Sequence, residues 1–170
     1  MPGNLRRCLS LTRARIKAAD CELIGVATDY IESAKIPDLK ARLIADPDAV
    51  ETLLTELEGD AGRPPLAAVQ DKIDRLFAGH TMEAIFAALA ADGSDWASEQ
   101  LAILRTKSPH SMKVSLRQLQ QGAKATSFAE HMAMEYRIGA RQVMTHDFIE
   151  GVRAVVVEKD NKPAWEPATI

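Results

Sequence analysis

Apolar residues recur at helical spacing along almost the whole chain, and this periodicity limits the fold more than any other feature. Val50, Leu53 and Leu57 mark one amphipathic stripe, and residues 66–77 carry another. Residues 59–65, between the two stripes, contain two prolines and two glycines and cannot continue a helix. The pattern predicts a mainly α chain built from many short antiparallel helices.

Several helix ends are marked by residues that commonly cap helices. Thr81 and Ser94, or the aspartate that follows Ser94, are predicted to begin two helices. Ser108 is followed by a proline, which is typical of an N-cap and the first helical position. Gly93 and Gly122 are predicted to end helices, because glycine readily adopts the left-handed conformation of a helix C-terminus.

Two capping boxes are predicted near the end of the sequence. Ser127 pairs with Glu130 and Asp147 pairs with Glu150, each at the spacing in which the cap oxygen and the glutamate satisfy free amides. Strand signal is thin. Residues 25–31 form the one candidate strand, so at most one or two short strands are expected.

The composition excludes several classes of protein. With 170 residues, 46% of them hydrophobic, the chain suits one domain or a large piece of one and is too apolar for a disordered protein. The 21 basic and 24 acidic residues give a net charge of -3, so nucleic acid is not the expected partner. No apolar run approaches about 18 residues, so no membrane-spanning helix is expected.

The first 19 residues are basic and contain no acid. This composition is typical of a mitochondrial presequence. The alternative is that Leu5, Leu11 and Ile16 are packed positions of an ordinary helix and turn. Cys8 and Cys21 are too few for a disulfide framework or a zinc site, and they favour a reducing, intracellular compartment.

The sequence carries no complete catalytic or metal-binding motif. It has neither a Gly-x-Ser-x-Gly elbow nor any Gly-x-Gly. His146 and Glu150 have a spacing that metals use, but no third ligand accompanies them. Residues 101–129 contain five basic residues and no acid, which fits either an anionic ligand such as a phosphate or a solvated helix face.

Three segments carry motifs specific enough to compare with known families. They are residues 11–30 (LTRARIKAADCELIGVATDY), residues 108–119 (SPHSMKVSLRQL), and residues 135–165, which include EYR, HDFIEGVRAV and DNKPAW. Their order and spacing resemble the crotonase (enoyl-CoA hydratase/isomerase) superfamily, and within it the 3-hydroxyisobutyryl-CoA hydrolases. Arg13 departs from this pattern because it stands where those proteins usually have glycine. Val155 and Asp160 resemble the hydrolases more than the hydratases.

The resemblance implies an architecture and a division of labour. Residues 1–170 would form the C-terminal helical region of a crotonase-like α/β domain. The oxyanion hole and the catalytic acids would lie in a core upstream, so no catalytic residue is assigned to this chain. Coenzyme A would be part of the substrate, and no separate cofactor or metal is expected.

The same resemblance implies a set of substrate-binding residues. The helix of residues 147–157 would flank a coenzyme A tunnel, with Phe148 and Val155 lining it and Lys159 or Lys162 near phosphates. The alternative is that Phe148 is a core residue and both lysines are solvated. Residues 135–137 are expected to form a structural cluster of hydrogen bonds or ion pairs.

Three functions remain open at this point. The first is a segment of a 3-hydroxyisobutyryl-CoA hydrolase, an acyl-CoA thioester hydrolase of valine catabolism. That segment would supply the helical cover of the acyl-CoA site and the subunit contacts of a homo-oligomer, without activity of its own. The second is a non-catalytic helical interaction module, and the third is a segment of an enoyl-CoA hydratase or isomerase. A cytoplasmic location is expected, or the mitochondrial matrix in a eukaryote.

Overall fold

The computed structural model describes residues 3–170, and within that range the chain forms ten α-helices and no strand. The helices are α1 (Leu5–Thr12), α2 (Ala18–Leu23), α3 (Ile36–Ala45), α4 (Val50–Leu57), α5 (Gln70–Leu76), α6 (Met82–Asp92), α7 (Asp95–Arg105), α8 (Pro109–Gly122), α9 (Phe128–Gln142) and α10 (His146–Val152). Short 3-10 turns lie at Ser33–Lys35, Pro47–Ala49 and Pro65–Val69, and a π-helical turn, Arg153–Val157, continues α10.

The helix ends follow the predicted capping residues. The hydroxyl oxygens of Thr81, Ser94 and Ser108 accept hydrogen bonds from amides three residues ahead, at 3.1, 3.4 and 2.9 Å. Gly93 follows α6 in the left-handed conformation with φ 66°, and α8 ends at Gly122. The helix-rich part of the fold prediction is therefore confirmed.

The predicted strand at residues 25–31 is wrong. The amides of Val26 and Ala27 donate to the carbonyl of Cys21 at 2.9 and 3.2 Å, which closes the end of α2. Gly25 turns the chain there with φ 71°. A strand needs free amides and a neighbouring strand to bond them, and none of the described residues provides such a neighbour.

The main core lies between α1, α5, α6, α7 and α8. Its fully buried side chains include Leu5, Ile73, Phe77, Ile85, Leu89 and Leu104. Each such side chain contributes about 1.5–3 kcal/mol by leaving water. Leu5 and Leu11 belong to this cluster and Ile16 packs against it, so the N-terminal positions interpreted as packed are packed.

Outside this core few side chains are buried. Leu39, Leu53 and Leu57 form a separate small cluster between α3 and α4. Helix α9 has no buried residue, and its outer face exposes large apolar side chains, with Phe128 and Tyr136 each 77% exposed. Exposed large apolar side chains that share one helix face are typical of a surface that contacts another part of a protein.

Candidate functional site

A cleft of about 780 Å³ opens between α1, α8, α9 and α10. Its two walls differ in character. The more polar wall comes from α1 and α8 and the segment before α8, where the apolar Leu11, Met112 and Val114 lie among polar side chains: Ser10, Arg13, Lys107, Ser108, Ser111, Ser115 and Gln118. The apolar wall comes from α10, the π-helical turn and the segment beyond it, and includes Phe148, Val152, Val155, Val156, Pro163 and Trp165. A cleft of this size with one apolar and one polar wall suits an amphipathic ligand.

Phe148 and Val155, the two apolar residues predicted to bind substrate, both line this cleft. Phe148 is 41% exposed and Val155 is 57% exposed. Phe148 is therefore not the buried core residue of the alternative interpretation. Ligand contact by these two side chains stays a prediction.

Lys159 and Lys162 are not among the residues that line the cleft. Both are exposed and follow the π-helical turn, where Lys159 adopts φ 58°. The backbone of Lys162 is fixed: its amide donates to Asp160 at 2.9 Å and its carbonyl accepts from Arg153 at 3.2 Å. A role for either lysine at a phosphate stays a prediction.

The cations that do face the cleft are Arg13 and Lys107, which the sequence interpretation did not assign to the site. Arg13 follows α1 in the left-handed conformation, with φ 58° and ψ 34°, at a cost of roughly 1–2 kcal/mol for a residue other than glycine. Among residues 3–170 no carboxylate lies within ion-pair distance of either side chain. Two sequence features could have pointed to them: Arg13 stands where the family usually has glycine, and Lys107 lies in the segment 101–129, which contains no acid.

Asp147 fixes the floor of the cleft. Its side chain is almost completely buried and accepts hydrogen bonds from the Ser108 hydroxyl and, at 2.8 Å, from the Glu166 amide. The His146 ring nitrogen Nδ1 lies 3.2 Å from Asp147 Oδ1, the oxygen that also accepts from Glu166. Asp147 therefore joins the start of α8, the start of α10 and the end of the chain.

These contacts keep Asp147 ionised. Burial by itself would raise the pKa of its carboxyl group. The hydrogen bonds from Glu166 and Ser108 outweigh burial and hold the pKa below its usual value. The Ser108 hydroxyl is buried, donates to Asp147 and accepts from the Ser111 amide, so it links the start of α8 to this carboxylate.

The predicted capping box of Asp147 and Glu150 is wrong. Thr145 is the N-cap of α10. Glu150 instead makes two 2.8 Å hydrogen bonds with Arg153 and accepts a third, also at 2.8 Å, from the amide of Ala164. These bonds hold the pKa of Glu150 at about 2. Both acids thus fasten the C-terminal segment to α10.

The box at Ser127 is half confirmed. The Ser127 hydroxyl accepts from the Glu130 amide at 3.2 Å, as predicted. The Glu130 carboxylate, however, accepts from the amide of Thr126 at 2.8 Å, one residue earlier than expected.

The C-terminal segment that these acids hold completes the apolar wall. The indole of Trp165 donates to the carbonyl of Thr106 at 3.1 Å. Its ring lies so close to Gly151 that a Cβ there would meet it at 3.4 Å. Arg153 also pairs with Glu158 and, at 2.8 Å, with Asp160. The wall is therefore held by ion pairs on one side and by the indole on the other.

A second groove of about 520 Å³ lies between α8 and α9. Its cations are committed elsewhere: Lys113 pairs with Glu83 at 2.7 Å, and Arg117 lies against the side-chain amide of Gln121. The predicted cluster at residues 135–137 is wrong: Glu135 accepts from Gln118 on α8, Arg137 donates to the Ala133 carbonyl of its own helix, and the Tyr136 side chain is exposed. This groove has few free polar groups to orient a ligand.

Two further features concern metals and membranes. In the described part of the chain, no three histidine, cysteine or acidic residues come close enough to share a metal ion. Within the same range no helix has the length and hydropathy needed to cross a bilayer.

Comparison with protein families identifies the class of the chain. The sequence profile of the enoyl-CoA hydratase/isomerase family matches residues 1–170. The chain belongs to this family.

Curated relatives narrow the similarity. The chain is 38% identical to the mitochondrial 3-hydroxyisobutyryl-CoA hydrolase of Xenopus laevis, over 100% of this chain and 46% of that protein. It is 37% identical to the mitochondrial 3-hydroxyisobutyryl-CoA hydrolase of Homo sapiens, with the same coverage. The chain thus spans about half the length of the curated relatives it matches.

Solved structures share the fold. A carnitinyl-CoA dehydratase from Mycobacterium thermoresistibile matches with a TM-score of 0.90 and 33% identity, over 99% of this chain and 48% of that one. An enoyl-CoA hydratase from Rhodobacter sphaeroides matches with a TM-score of 0.85 and 35% identity, over 96% and 47%.

These matches require a correction. The sequence was assigned to the C-terminal helical region of a crotonase-like α/β fold. The comparisons support the crotonase relationship and an extent of about half of each relative, but not a location at the C-terminal end. The described residues are also entirely without strands, so no α/β element is present among them.

Proposed function

We propose that this chain is a segment of a 3-hydroxyisobutyryl-CoA hydrolase, in which it forms the helical cover of the acyl-CoA site. The observation that carries the proposal is the two-walled cleft, which combines an apolar face for an acyl or pantetheine chain with cations for an anionic group. The similarity to hydrolases along the whole chain supports the choice of reaction. The coenzyme would enter as part of the substrate.

The proposed contribution is binding and exclusion of water. Thioester hydrolysis needs stabilisation of charge on the carbonyl oxygen and a positioned acid or base, in a site shielded from bulk solvent. In the cleft, the Asp147 carboxylate and the Ser108 hydroxyl are already bonded to each other. Phe148 and Val155 would shield the acyl group, and the reactive groups would come from the rest of the hydrolase.

The exposed outer face of α9 supports a partner surface. Phe128, Met132, Tyr136 and Val143 follow one another at helical spacing and are 45–77% exposed. Because the curated relatives are about twice as long as this chain, we assign this face to the remaining part of the hydrolase. Pairing with a second copy of the chain, as in a homo-oligomer, would appear instead as self-association of the isolated chain.

The reaction is tested with a chimera in which this chain replaces the matching half of the Xenopus laevis hydrolase. Release of free coenzyme A from 3-hydroxyisobutyryl-CoA is measured for the chimera and for the isolated chain. We expect turnover by the chimera and only background hydrolysis by the isolated chain. A folded chimera that hydrates an enoyl-CoA without releasing coenzyme A would favour the hydratase alternative. Turnover by the isolated chain would refute the cover role.

Two variants test the site inside the chimera. Phe148→Ala should raise KM or lower kcat/KM, because it opens the apolar wall of the cleft. Ile44→Ala is the matched control, since Ile44 is 83% exposed and lies outside the cleft. Equal kinetics for the two variants would contradict a role for Phe148. The proposed location of the chain is the mitochondrial matrix if its source is a eukaryote, and the cytoplasm if it is not.

A further inference from the structure

The geometry points to an anion subsite formed by Arg13 and Lys107, which receives the diphosphate of a coenzyme A group in the cleft. This inference rests on the proposed function and goes beyond it. It assigns phosphate recognition to two residues of the polar wall rather than to Lys159 and Lys162. Three independent observations lead to it.

The first observation is the backbone of Arg13. Left-handed conformations are disfavoured for residues with a Cβ, and glycine is the usual choice at the end of a helix. Arg13 nevertheless holds φ 58° there, directly after α1, and its side chain lines the cleft. Residues kept in unfavourable conformations concentrate at functional sites. The charge at this position is therefore a candidate for function.

The second observation is the charge balance of the cleft. Arg13 and Lys107 have no carboxylate partner among residues 3–170. The acid that lines the cleft, Asp147, is ionised and accepts hydrogen bonds from Ser108 and Glu166, so the two cations exceed its single negative charge. The amino-terminal end of α8, with its positive partial charge, reaches the same cleft at Ser111. A chain of net charge -3 thus presents a positive cleft. Such a cleft concentrates anions.

The third observation is the wall opposite these cations. Val155, Val156 and Trp165 give it an apolar surface that a free phosphate would not use. A ligand that satisfies both walls is an anion with an attached apolar arm. The arginine guanidinium binds phosphate through two parallel N–H groups and the lysine acts as a point charge, so each side chain can bind a phosphate group.

The subsite is tested by calorimetric titration of the 170-residue chain with coenzyme A and with pantetheine, which carries no phosphate. Arg13→Gly and Lys107→Met should each weaken coenzyme A binding about tenfold, the effect of one hydrogen bond to a charged group. Both variants should leave pantetheine binding within about twofold. Arg13→Lys, which keeps the charge, should recover part of the loss. Raising the salt from about 0.05 to about 0.5 M should weaken coenzyme A binding by wild type more than by the variants.

Arg15→Met is the matched control, because Arg15 lies two residues away, is exposed and does not line the cleft. It should bind coenzyme A as wild type does. Arg13→Gly should also unfold at an equal or higher temperature than wild type, since glycine relieves the left-handed strain. Weaker ligand binding in a variant of equal or greater stability would separate recognition from a structural role.

Three results would overturn the subsite, and two of them concern the comparison of variants and ligands. One is coenzyme A binding that is unchanged in Arg13→Gly and Lys107→Met, and the other is wild-type affinity that is equal for coenzyme A and pantetheine. Either result would leave the proposed function standing if the chimera still releases coenzyme A. Failure of wild type to bind coenzyme A would refute the subsite, and the chimera assay would then decide separately on the hydrolase.

Discussion

Replacing Asp147 by asparagine tests whether one buried carboxylate holds the end of the chain against α8. The carboxylate accepts from the Ser108 hydroxyl and from the Glu166 amide at 2.8 Å, and almost none of it is exposed. Asparagine keeps the shape and one acceptor oxygen. It removes the negative charge and turns the second acceptor into a donor.

The expected loss follows from those two bonds. A hydrogen bond to a charged group contributes about 1.5–3 kcal/mol. The asparagine variant should lose the equivalent of about one such bond, or about 2 kcal/mol. Asp147→Ala should lose about 3–5 kcal/mol, because both Ser108 and Glu166 then lack a partner. For a urea m-value of about 2 kcal/mol per molar, a 2 kcal/mol loss moves the midpoint down by about 1 M.

Urea denaturation followed by circular dichroism at pH 7 measures this difference. Glu99→Gln is the control, because Glu99 is exposed on α7 and removing its charge breaks no hydrogen bond or ion pair of the described chain. Amide hydrogen exchange at Glu166 should accelerate in Asp147→Asn and stay unchanged in the control. A midpoint shift for Asp147→Asn no larger than that of Glu99→Gln would refute the reasoning.

The same carboxylate predicts a pH dependence. The pKa of Asp147 is lower in the folded chain than its usual value, so ionisation favours folding. Its contribution is complete above the unfolded pKa, near pH 4, and is lost as the pH falls through the folded pKa. The stability gap between wild type and Asp147→Asn should therefore narrow below about pH 4. A gap that widens on acidification would contradict this sign.

Cysteine reactivity, two glycines and one glutamate give further tests. Burial raises the pKa of the Cys8 thiol to about 11, so at pH 8 Cys8 should react with a disulfide reagent far more slowly than the half-buried Cys21, and equal rates in the folded chain would contradict this. Gly93→Ala should lower the free energy of unfolding by about 1 kcal/mol, because φ is 66° there. Gly139→Ala within α9 should raise it by about 0.5–1 kcal/mol, because a Cβ there meets no other atom. Urea denaturation should therefore show changes of opposite sign for the two variants. Glu150→Gln should speed hydrogen exchange at the C-terminal amide that its carboxylate accepts, with unchanged exchange as the contrary result.

The sequence by itself determined the helices and most of their ends. Thr81, Ser94 and Ser108 cap helices through amides only three residues away, and Gly93 ends α6 through its own backbone. These interactions are short in sequence, so the residue types that make them are visible without a fold. The motifs between residues 11 and 165 likewise identified the family that the comparisons establish.

Only the tertiary structure decided the roles of the charged residues around the cleft. Asp147 and Glu150 have the spacing of a capping box, but Asp147 accepts from the Ser108 hydroxyl and Glu150 accepts from the Ala164 amide, both far from them in the chain. Residues 25–31 have the composition of a strand, yet a strand depends on a neighbour that local sequence cannot supply. Arg13 faces the cleft because α1 packs against α8. The three outcomes share one physical reason: each depends on contacts between residues distant in sequence, which no local pattern encodes.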